Sequence, residues 1–427
     1  MILLVCDKPK RELKALKQLS NQLKIKGIKS LIINKHLLIK AYNYYKPKII
    51  TIPHCKGYLK NPIKKLHKYV KLVLIPTEHS MLQDKFIDIQ YFGVDNLNHR
   101  EHIINKLYQV YVQSDYVKKY LNKKKVKNLE TTGHLFYSYW DSPILNYKNS
   151  KKNIGIAITN RPSIRHFKYN NYLKVLKKTN EINNFVINPW KMGLLSLDIF
   201  YYFLLFKIIE NLKDDYIVNI RPHPMDTETN WNNIFDYKNV NISEDENIVD
   251  WIDKQDIVLS TFSSICMDAY LRYKPHVSLI KLIPKNLLKF RAYNEFSWSE
   301  YYEWNSIKPS SIKQLTEIIK KNKFKKNKII ESKINKYFGY PYKKNPCDII
   351  SNNLKKNYMT KEKKFKFIKH NSFIENFLGS GIFLFLSEIK FYFDLYNQDS
   401  FFSKKTKFLF FVPRKILIFF NNLFGSK

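Results

Sequence analysis

Short apolar runs alternate with lysine-rich stretches of helical period over the first 150 residues. The leucines of Arg11–Lys26 recur at helical spacing, and Gly27 follows where such a helix would end. Continuous apolar strands separated by helices are typical of a parallel sheet that is covered on both faces. The predicted strands are Ile2–Cys6, Ser30–Ile33, Ile49–Ile52, Leu72–Ile75, Gln109–Val112 and Leu129–Thr132.

The same alternation resumes near Lys151. Helices are predicted over Ile199–Leu212 and Ser264–Tyr273, and the polar stretch Asp141–Lys152, with its Ser142-Pro143 step, is typical of a linker. We therefore predict an α/β fold class with a first Rossmann-like domain over 1–150, a second over 151–355, and a cleft between them. The predicted strands of the second domain are Asn153–Ile158, Tyr216–Ile220, Val240–Ile242, Ile257–Ser260 and Val277–Ile280.

The remaining residues, 356–427, form a basic and aromatic C-terminal tail. Basic clusters such as Lys404-Lys405 flank short apolar runs such as Phe408–Val412. Such segments suit a membrane interface, and they suit helices packed on the second domain equally well. Both interpretations stay open.

The net charge indicates the kind of partner but does not identify a function. The chain carries 74 Lys and Arg against 36 Asp and Glu, a formal net charge of +38. This balance favours anionic partners, although a chain so rich in Asn, Ile and Lys carries excess lysine everywhere. Four scattered cysteines form no CxxC pair, and no apolar run reaches the length of about 18–20 residues that spans a bilayer. We expect a cytoplasmic protein, with peripheral contact to the inner membrane kept open through the tail.

The sharpest motif is Arg221-Pro222-His223-Pro224, directly after a predicted strand. Each proline fixes φ, so the turn would present Arg221 and His223 rigidly at the carboxyl end of the sheet, where α/β folds bind ligands. Arg and His suit phosphate oxygens. A structural turn with a surface histidine is the alternative.

The second motif is a hydroxyl-rich turn between a strand and a helix. Thr261, Ser263 and Ser264 would lie near the helix N-terminus, where free N–H groups and the helix dipole favour a phosphate. Asp268, four residues after Ser264, lies on the same helical face and is a candidate for ribose hydroxyls. The alternative is an ordinary serine N-cap.

In the first domain, Glu78 and His79 follow the strand that ends at Ile75. Either is a candidate general base for an acceptor hydroxyl, and a surface loop is the alternative. Asp7, His54 and His134 also follow predicted strands and are candidates for the acceptor side.

Several signatures are missing. The sequence has no GxGxxG, P-loop, GxSxG or HExxH motif. We therefore predict no dinucleotide or other cofactor and no metal site.

With these motifs, the chain resembles bacterial surface carbohydrate biosynthesis proteins of the GT-B type over roughly residues 1–330. It is more distantly similar to capsule polysialyltransferases and CDP-glycerol glycerophosphotransferases. The resemblance implies that His223, Ser263 and Ser264 hold the donor's phosphates and that Glu78 is the base. The sequence departs from these relatives at His79, where they often have Gly, and at Asp268, where many have Glu.

The resulting hypothesis is a metal-independent transferase that moves a sugar or related group from a nucleotide-activated donor to a glycan or lipid-linked acceptor. One alternative is a non-catalytic protein that holds anionic glycan or lipid at a membrane. A sugar epimerase on the same fold is another, since fold does not fix function. Nucleic-acid binding ranks last because no recognisable module is present.

Overall fold

The computed structural model divides the chain into two compact units. One comprises Met1–Tyr139 together with the chain from Ile334 onward, and the other comprises Trp140–Lys333. The structure describes residues 1–7, 9–77, 84–92, 103–137, 151–158, 189–212, 215–222, 231–243, 248–261, 263, 265–288, 306–321, 323–361 and 363–368.

The first unit contains a six-stranded sheet in which every pairing is parallel, with the order β2-β1-β3-β4-β5-β6. Its strands are β1 (Ile2–Cys6), β2 (Ser30–Asn34), β3 (Ile49–Ile52), β4 (Lys71–Leu74), β5 (Gln109–Val112) and β6 (Leu129–Thr131). Its helices among residues 1–137 are α1 (Pro9–Ile25), α2 (Leu38–Tyr45), α3 (Lys60–Leu66), α4 (Asp84–Phe92) and α5 (Asp115–Lys123).

Apolar patterning produces this sheet as predicted. β1 and β3 are buried along their whole length, and the leucines at 16, 19 and 23 of α1 are buried in the same core cluster as Ile2 and Leu4. Gly27 adopts a φ of 75° after α1, which an L side chain rarely allows. The strands predicted for this domain are confirmed to within a residue or two at their ends.

The second unit contains a five-stranded parallel sheet with the order β11-β10-β7-β8-β9. Its strands are β7 (Lys152–Ala157), β8 (Tyr216–Arg221), β9 (Val240–Ile242), β10 (Ile257–Ser260) and β11 (His276–Ser278). Its helices are α6 (Pro189–Leu212), α7 (Trp231–Ile234), α8 (Ile248–Asp253), α9 (Ile265–Leu271), α10 (Lys285–Leu288) and α11 (Ile312–Lys321). The predicted α/β class, with two Rossmann-like sheets, is confirmed.

Two packing features fix α8 on this sheet. A Cβ at Gly155, in the middle of β7, would lie 2.7 Å from the ring of Trp251, so glycine permits the close approach of α8. The buried carboxylate of Asp253 receives hydrogen bonds from Nε and Nη2 of Arg272, just beyond α9. A buried ion pair with this fork geometry ties α8 to α9.

The described chain from Ile334 onward belongs to the first unit, which differs from the predicted second domain of 151–355. α12 (Lys328–Phe338) crosses the boundary at Ile334, and α13 (Pro346–Met359) buries Cys347, Ile350 and Leu354 in the core cluster of α1. The physical reason is this apolar face of α13, which covers the first sheet.

Lys71 fixes the end of α13. Its buried ammonium, at the start of β4, donates to the carbonyls of Asn357 and Thr360 and to the Thr360 hydroxyl, at distances of 2.6–3.1 Å. A cation at a helix C-terminus also interacts favourably with the helix dipole.

The start of the tail is fixed on the same unit. The side chain of Asn43, on α2, donates to the Ile368 carbonyl at 2.8 Å and accepts from the Ile368 N–H at 3.0 Å. Tyr42 makes the corresponding pair of bonds with the backbone of Lys366. In the part of the chain that the structure describes, no helix is long and apolar enough to cross a membrane.

Candidate functional site

The first sheet reverses its strand order between β1 and β3, because the chain leaves β1 toward β2 on one side and later continues from β3 toward β6 on the other. Open α/β sheets bind ligands at the carboxyl ends of the strands that flank such a reversal. Asp7 directly follows β1 and His54 follows β3 by two residues, so both predicted acceptor-side residues lie at this point.

The structure brings these two side chains into contact. His54 Nε2 lies 2.9 Å from Asp7 Oδ2, and the Lys35 ammonium, directly after β2, pairs with Asp7 Oδ1. Only 8% of the Asp7 side chain is exposed. Loops after three adjacent strands therefore converge on one carboxylate. Lys35 was missed from the sequence, although its position directly after a strand is the signal that identified Asp7.

Hydrogen bonding indicates the tautomer of His54 and the ionisation of Asp7. The Lys56 N–H donates to His54 Nδ1 at 3.4 Å, so Nδ1 carries the lone pair and Nε2 donates its proton to Asp7. Burial raises the pKa of Asp7, but the hydrogen bonds from His54 and Lys35 outweigh burial and hold that pKa below its ordinary range. Asp7 is consequently a carboxylate at neutral pH, and its backbone N–H donates to buried Glu12 at 2.7 Å.

The other residues predicted for the acceptor side do not join this cluster in the described structure. His134 is 2% exposed, and its ring lies near Phe136 and Phe338. Gly133, which precedes His134, adopts a φ of 78°, the left-handed conformation typical of tight turns. A Cβ there would lie within 3 Å of side-chain atoms of Pro346 and Tyr342, so the turn lies against the residues that lead into α13. Glu78 and His79 lie outside the described residues.

The second sheet reverses its order between β7 and β10. Ala157, at the end of β7, pairs in register with Ser260 of β10 on one side and with Arg221 of β8 on the other. Since neighbouring strands lie about 4.8 Å apart, Arg221 and Ser260 are separated by roughly 10 Å across this edge. The two predicted motifs therefore begin on the same edge of one sheet.

Local contacts define the described parts of these motifs. The Arg221 guanidinium lies 5.9 Å from the ring centroid of Trp251, a cation–π arrangement that restrains it. Ser263 Oγ accepts from the Ile265 N–H, at the first residue of α9, at 3.2 Å. Thr261 is buried, and Asp268 is partly exposed on α9. His223 and Ser264 lie outside the described residues.

A buried histidine that sequence reasoning missed lies beneath this edge. His276 Nε2 lies 2.8 Å from Ser260 Oγ, and its Nδ1 lies 2.6 Å from Ser306 Oγ. Ser260 Oγ itself donates to the Thr261 carbonyl, so it accepts from Nε2–H, and Ser306 donates to Nδ1. Burial lowers the pKa of His276 to about 3. The neutral ring thus links β11 to the turn that carries Ser263.

The described residues contain no group of three or more His, Cys, Asp or Glu side chains that could hold a metal ion.

Comparison with known proteins gives remote structural similarities. No protein-family model matches the sequence, and no curated protein matches it. The wall teichoic acid polymerase TagF is 12% identical with a TM-score of 0.49, covering 84% of this chain and 88% of TagF. The spinosyn rhamnosyltransferase SpnG is 11% identical with a TM-score of 0.43, covering 84% of this chain and 100% of SpnG.

A protein from Listeria monocytogenes assigned as a UDP-N-acetylglucosamine 2-epimerase is 8% identical with a TM-score of 0.45, covering 86% of this chain and 99% of its own. Identities of 8–12% with TM-scores below 0.5 carry no argument about the activity of this chain.

We predict that His276 makes the second unit sensitive to acid. The folded state holds the ring neutral down to a pH of about 3, whereas the unfolded chain binds a proton near pH 6.5. Stability should therefore fall as pH decreases from about 6.5 to 3, by up to about 1.4 kcal/mol per pH unit from this group. Calorimetric unfolding of the second unit across that range measures the slope.

The comparison variant is His276→Gln, which cannot bind the proton and should have a shallower slope. His67→Gln, which alters a partly exposed ring bonded to its own helix, should keep the slope of the unmodified protein. Identical slopes in all three proteins would contradict the assignment.

Proposed function

We propose that this protein is a GT-B-type glycosyltransferase of bacterial surface-polysaccharide assembly, of the kind that builds capsule or lipopolysaccharide. It moves a sugar or related group from a nucleotide-activated donor to a glycan or lipid-linked acceptor. The observation that carries the proposal is the position of polar side chains in both sheets. In each unit they lie at the carboxyl edge, beside the strand where the order reverses.

On the acceptor side, the Asp7–His54 pair offers proton-transfer chemistry. Asp7 remains ionised, so it orients the imidazole and stabilises the imidazolium that forms. His54 Nδ1 carries the lone pair, and its hydrogen bond of 3.4 Å from Lys56 is long and weak. In this proposal, Nδ1 takes the proton from the acceptor hydroxyl as that oxygen attacks the donor carbon. Glu78 and His79 remain rival candidates for the base.

On the donor side, the proposal places the departing nucleotide phosphate against Arg221 and His223. The hydroxyls of Thr261, Ser263 and Ser264 would add donors, and Asp268 would accept from ribose. Cations and N–H groups fixed before reaction stabilise charge that develops on a leaving phosphate without reorganising. Protein cations would do this without metal in the proposed mechanism.

The tail supports a membrane-side location in this proposal. Phe365 and Phe367 are 41% and 59% exposed, and Lys363, Lys364 and Lys366 alternate with them. Exposed aromatic rings between lysines suit the headgroup region of an anionic leaflet. We propose that this segment and the tail beyond it hold the enzyme at the inner membrane, near a lipid-linked acceptor.

For the acceptor side, we predict that His54→Gln lowers kcat at least 100-fold, because general-base catalysis contributes typically 10²- to 10⁴-fold. Donor affinity should stay within twofold, since His54 belongs to the first unit. The measurement is transfer, or slow hydrolysis, of the nucleotide sugar selected by the binding screen below. His67→Gln is the matched control and should retain activity.

The rival bases are tested in the same assay with Glu78→Gln and His79→Gln. A loss confined to either of those variants, with His54→Gln fully active, would transfer the base role away from His54.

For the donor side, we predict that one of CMP, CDP, UDP and GDP raises the Tm of the protein. Ligand at 100 times its Kd stabilises the folded state by about 2.7 kcal/mol. His223→Ala should weaken that nucleotide at least tenfold because a phosphate contact is lost, whereas Lys313→Ala, on an exposed position of the same unit, should bind normally. Nucleotide binding without transfer or hydrolysis of any donor would favour the non-catalytic alternative. Equal affinity in His223→Ala would remove that residue from the site.

For the tail, we predict that the full chain co-sediments with vesicles containing phosphatidylglycerol and not with pure phosphatidylcholine vesicles. Phe367→Ser with Lys364→Gln should reduce the bound fraction at least threefold. The matched control on the first unit is Ile25→Ser with Lys24→Gln, which removes an apolar side chain and a charge from α1, where Ile25 is 77% exposed. Equal losses in both double variants would argue against a specific contact by the tail.

A further inference from the structure

The second unit contains a cavity of about 520 Å³ that the proposed reaction does not use. It includes His276 and Pro275, so it lies at the amino end of β11. Arg221 and Ser263 lie at or beyond the carboxyl ends of their strands, and neither they nor Thr261 line the cavity. A ligand in this cavity would therefore be distinct from the donor nucleotide.

Lysines dominate the wall of this cavity. Lys274 contributes from the turn before β11, and Lys323, Lys325, Lys326 and Lys328 contribute from the segment that leads into α12. Among the described lining residues there is no Asp or Glu. The whole chain has about two basic residues for each acidic one, whereas the lining has five lysines and no acid; the Lys274 ammonium also donates to the Asp253 carbonyl at 2.9 Å, close to Asp253 and Asp256.

Hydrogen bonds and ring contacts hold the lysine-rich segment against α9 and the residues that follow it. The Tyr270 hydroxyl, on α9, accepts from the Asn327 N–H at 2.8 Å and donates to the Asn327 carbonyl at 3.2 Å. The Phe324 ring lies 5.4 Å from that of Tyr270 and 5.7 Å from that of Tyr273. The Lys326 ammonium lies 4.8 Å from the centroid of the Tyr273 ring.

Holding this segment in place has an electrostatic consequence. Ammonium groups gathered around one concavity repel one another. The Tyr270 hydrogen bonds and the Phe324 ring contact hold the segment that carries four of these lysines, and the Lys326 ammonium lies over the Tyr273 ring. A multiply charged anion in the cavity would convert the repulsion into attraction at several ammonium groups at once.

We propose that this cavity, the lysine pocket, binds a compact ligand that carries two or more phosphate groups. Lysine is a strong point-charge partner for phosphate, and several lysines around a concave site favour a clustered charge over a single carboxylate. The phosphates could belong to a soluble molecule or to a lipid headgroup, which present the same chemistry. The inference concerns binding alone and is independent of the transferase activity proposed above.

The test is isothermal titration of the full chain with tripolyphosphate at fixed ionic strength, with and without Lys323→Gln and Lys325→Gln together. Both positions are exposed, so the double variant should fold normally, which its Tm without ligand verifies. We expect the pocket variant to bind tripolyphosphate at least tenfold more weakly. The control is Lys281→Gln with Lys313→Gln, an equal charge change at exposed positions of the same unit that do not line the cavity.

Vesicles of cardiolipin, whose headgroup carries two phosphates, form the second arm, with the Phe367→Ser and Lys364→Gln background included in every protein to reduce binding by the tail. A selective loss of tripolyphosphate binding supports a soluble ligand, and a selective loss of vesicle binding supports a headgroup. Either loss supports the lysine pocket. If the pocket and control variants bind both probes equally, or if the unmodified protein binds neither probe, the proposal is overturned.

Discussion

Parallel pairing is the constraint on which the rest of this structure depends. Every described strand pairing in both sheets is parallel, so each chain crossing returns to the same starting edge and each strand ends at the opposite one. Residues far apart in sequence, such as Asp7 and His54, then become neighbours because the strands that they follow are adjacent. The strand order reverses at β1 and at β7, and open α/β sheets bind their ligands at such reversals.

Carboxylates are scarce in this chain, and the buried ones carry structural tasks. Asp7 holds Lys35 and His54, Glu12 accepts from the backbone of Asp7, and Asp253 pairs with Arg272. Each of these acids receives charged or N–H donors, as burial requires. The excess of lysine is consequently left to the surface, to the tail and to the lysine pocket. The net charge alone does not show where lysines gather without acidic residues among them. Such places are the candidate sites for anionic ligands.

The C-terminal part of the described chain packs on the first unit. α13 buries an apolar face beside α1, Lys71 binds the carbonyls at its end, and Asn43 pairs with the backbone of Ile368. The chain therefore begins and ends its described course on the same unit. In the proposed function, a tail that touches the membrane would thus hold the acceptor-side unit close to a lipid-linked acceptor.

The sequence by itself determined the class of fold and the strands, because apolar runs of four to six residues separated by helical periods have few other solutions. It also identified Asp7, His54 and Arg221 as strand-end candidates, since a polar residue directly after a buried strand is visible in one dimension. Tertiary structure decided the partners. Lys35 and His276 acquired their roles only when adjacent strands placed them beside Asp7 and Ser260, and His134 was buried because α13 returns over the Gly133 turn. Such contacts join residues tens to hundreds of positions apart, and side-chain periodicity contains no record of which strands become neighbours.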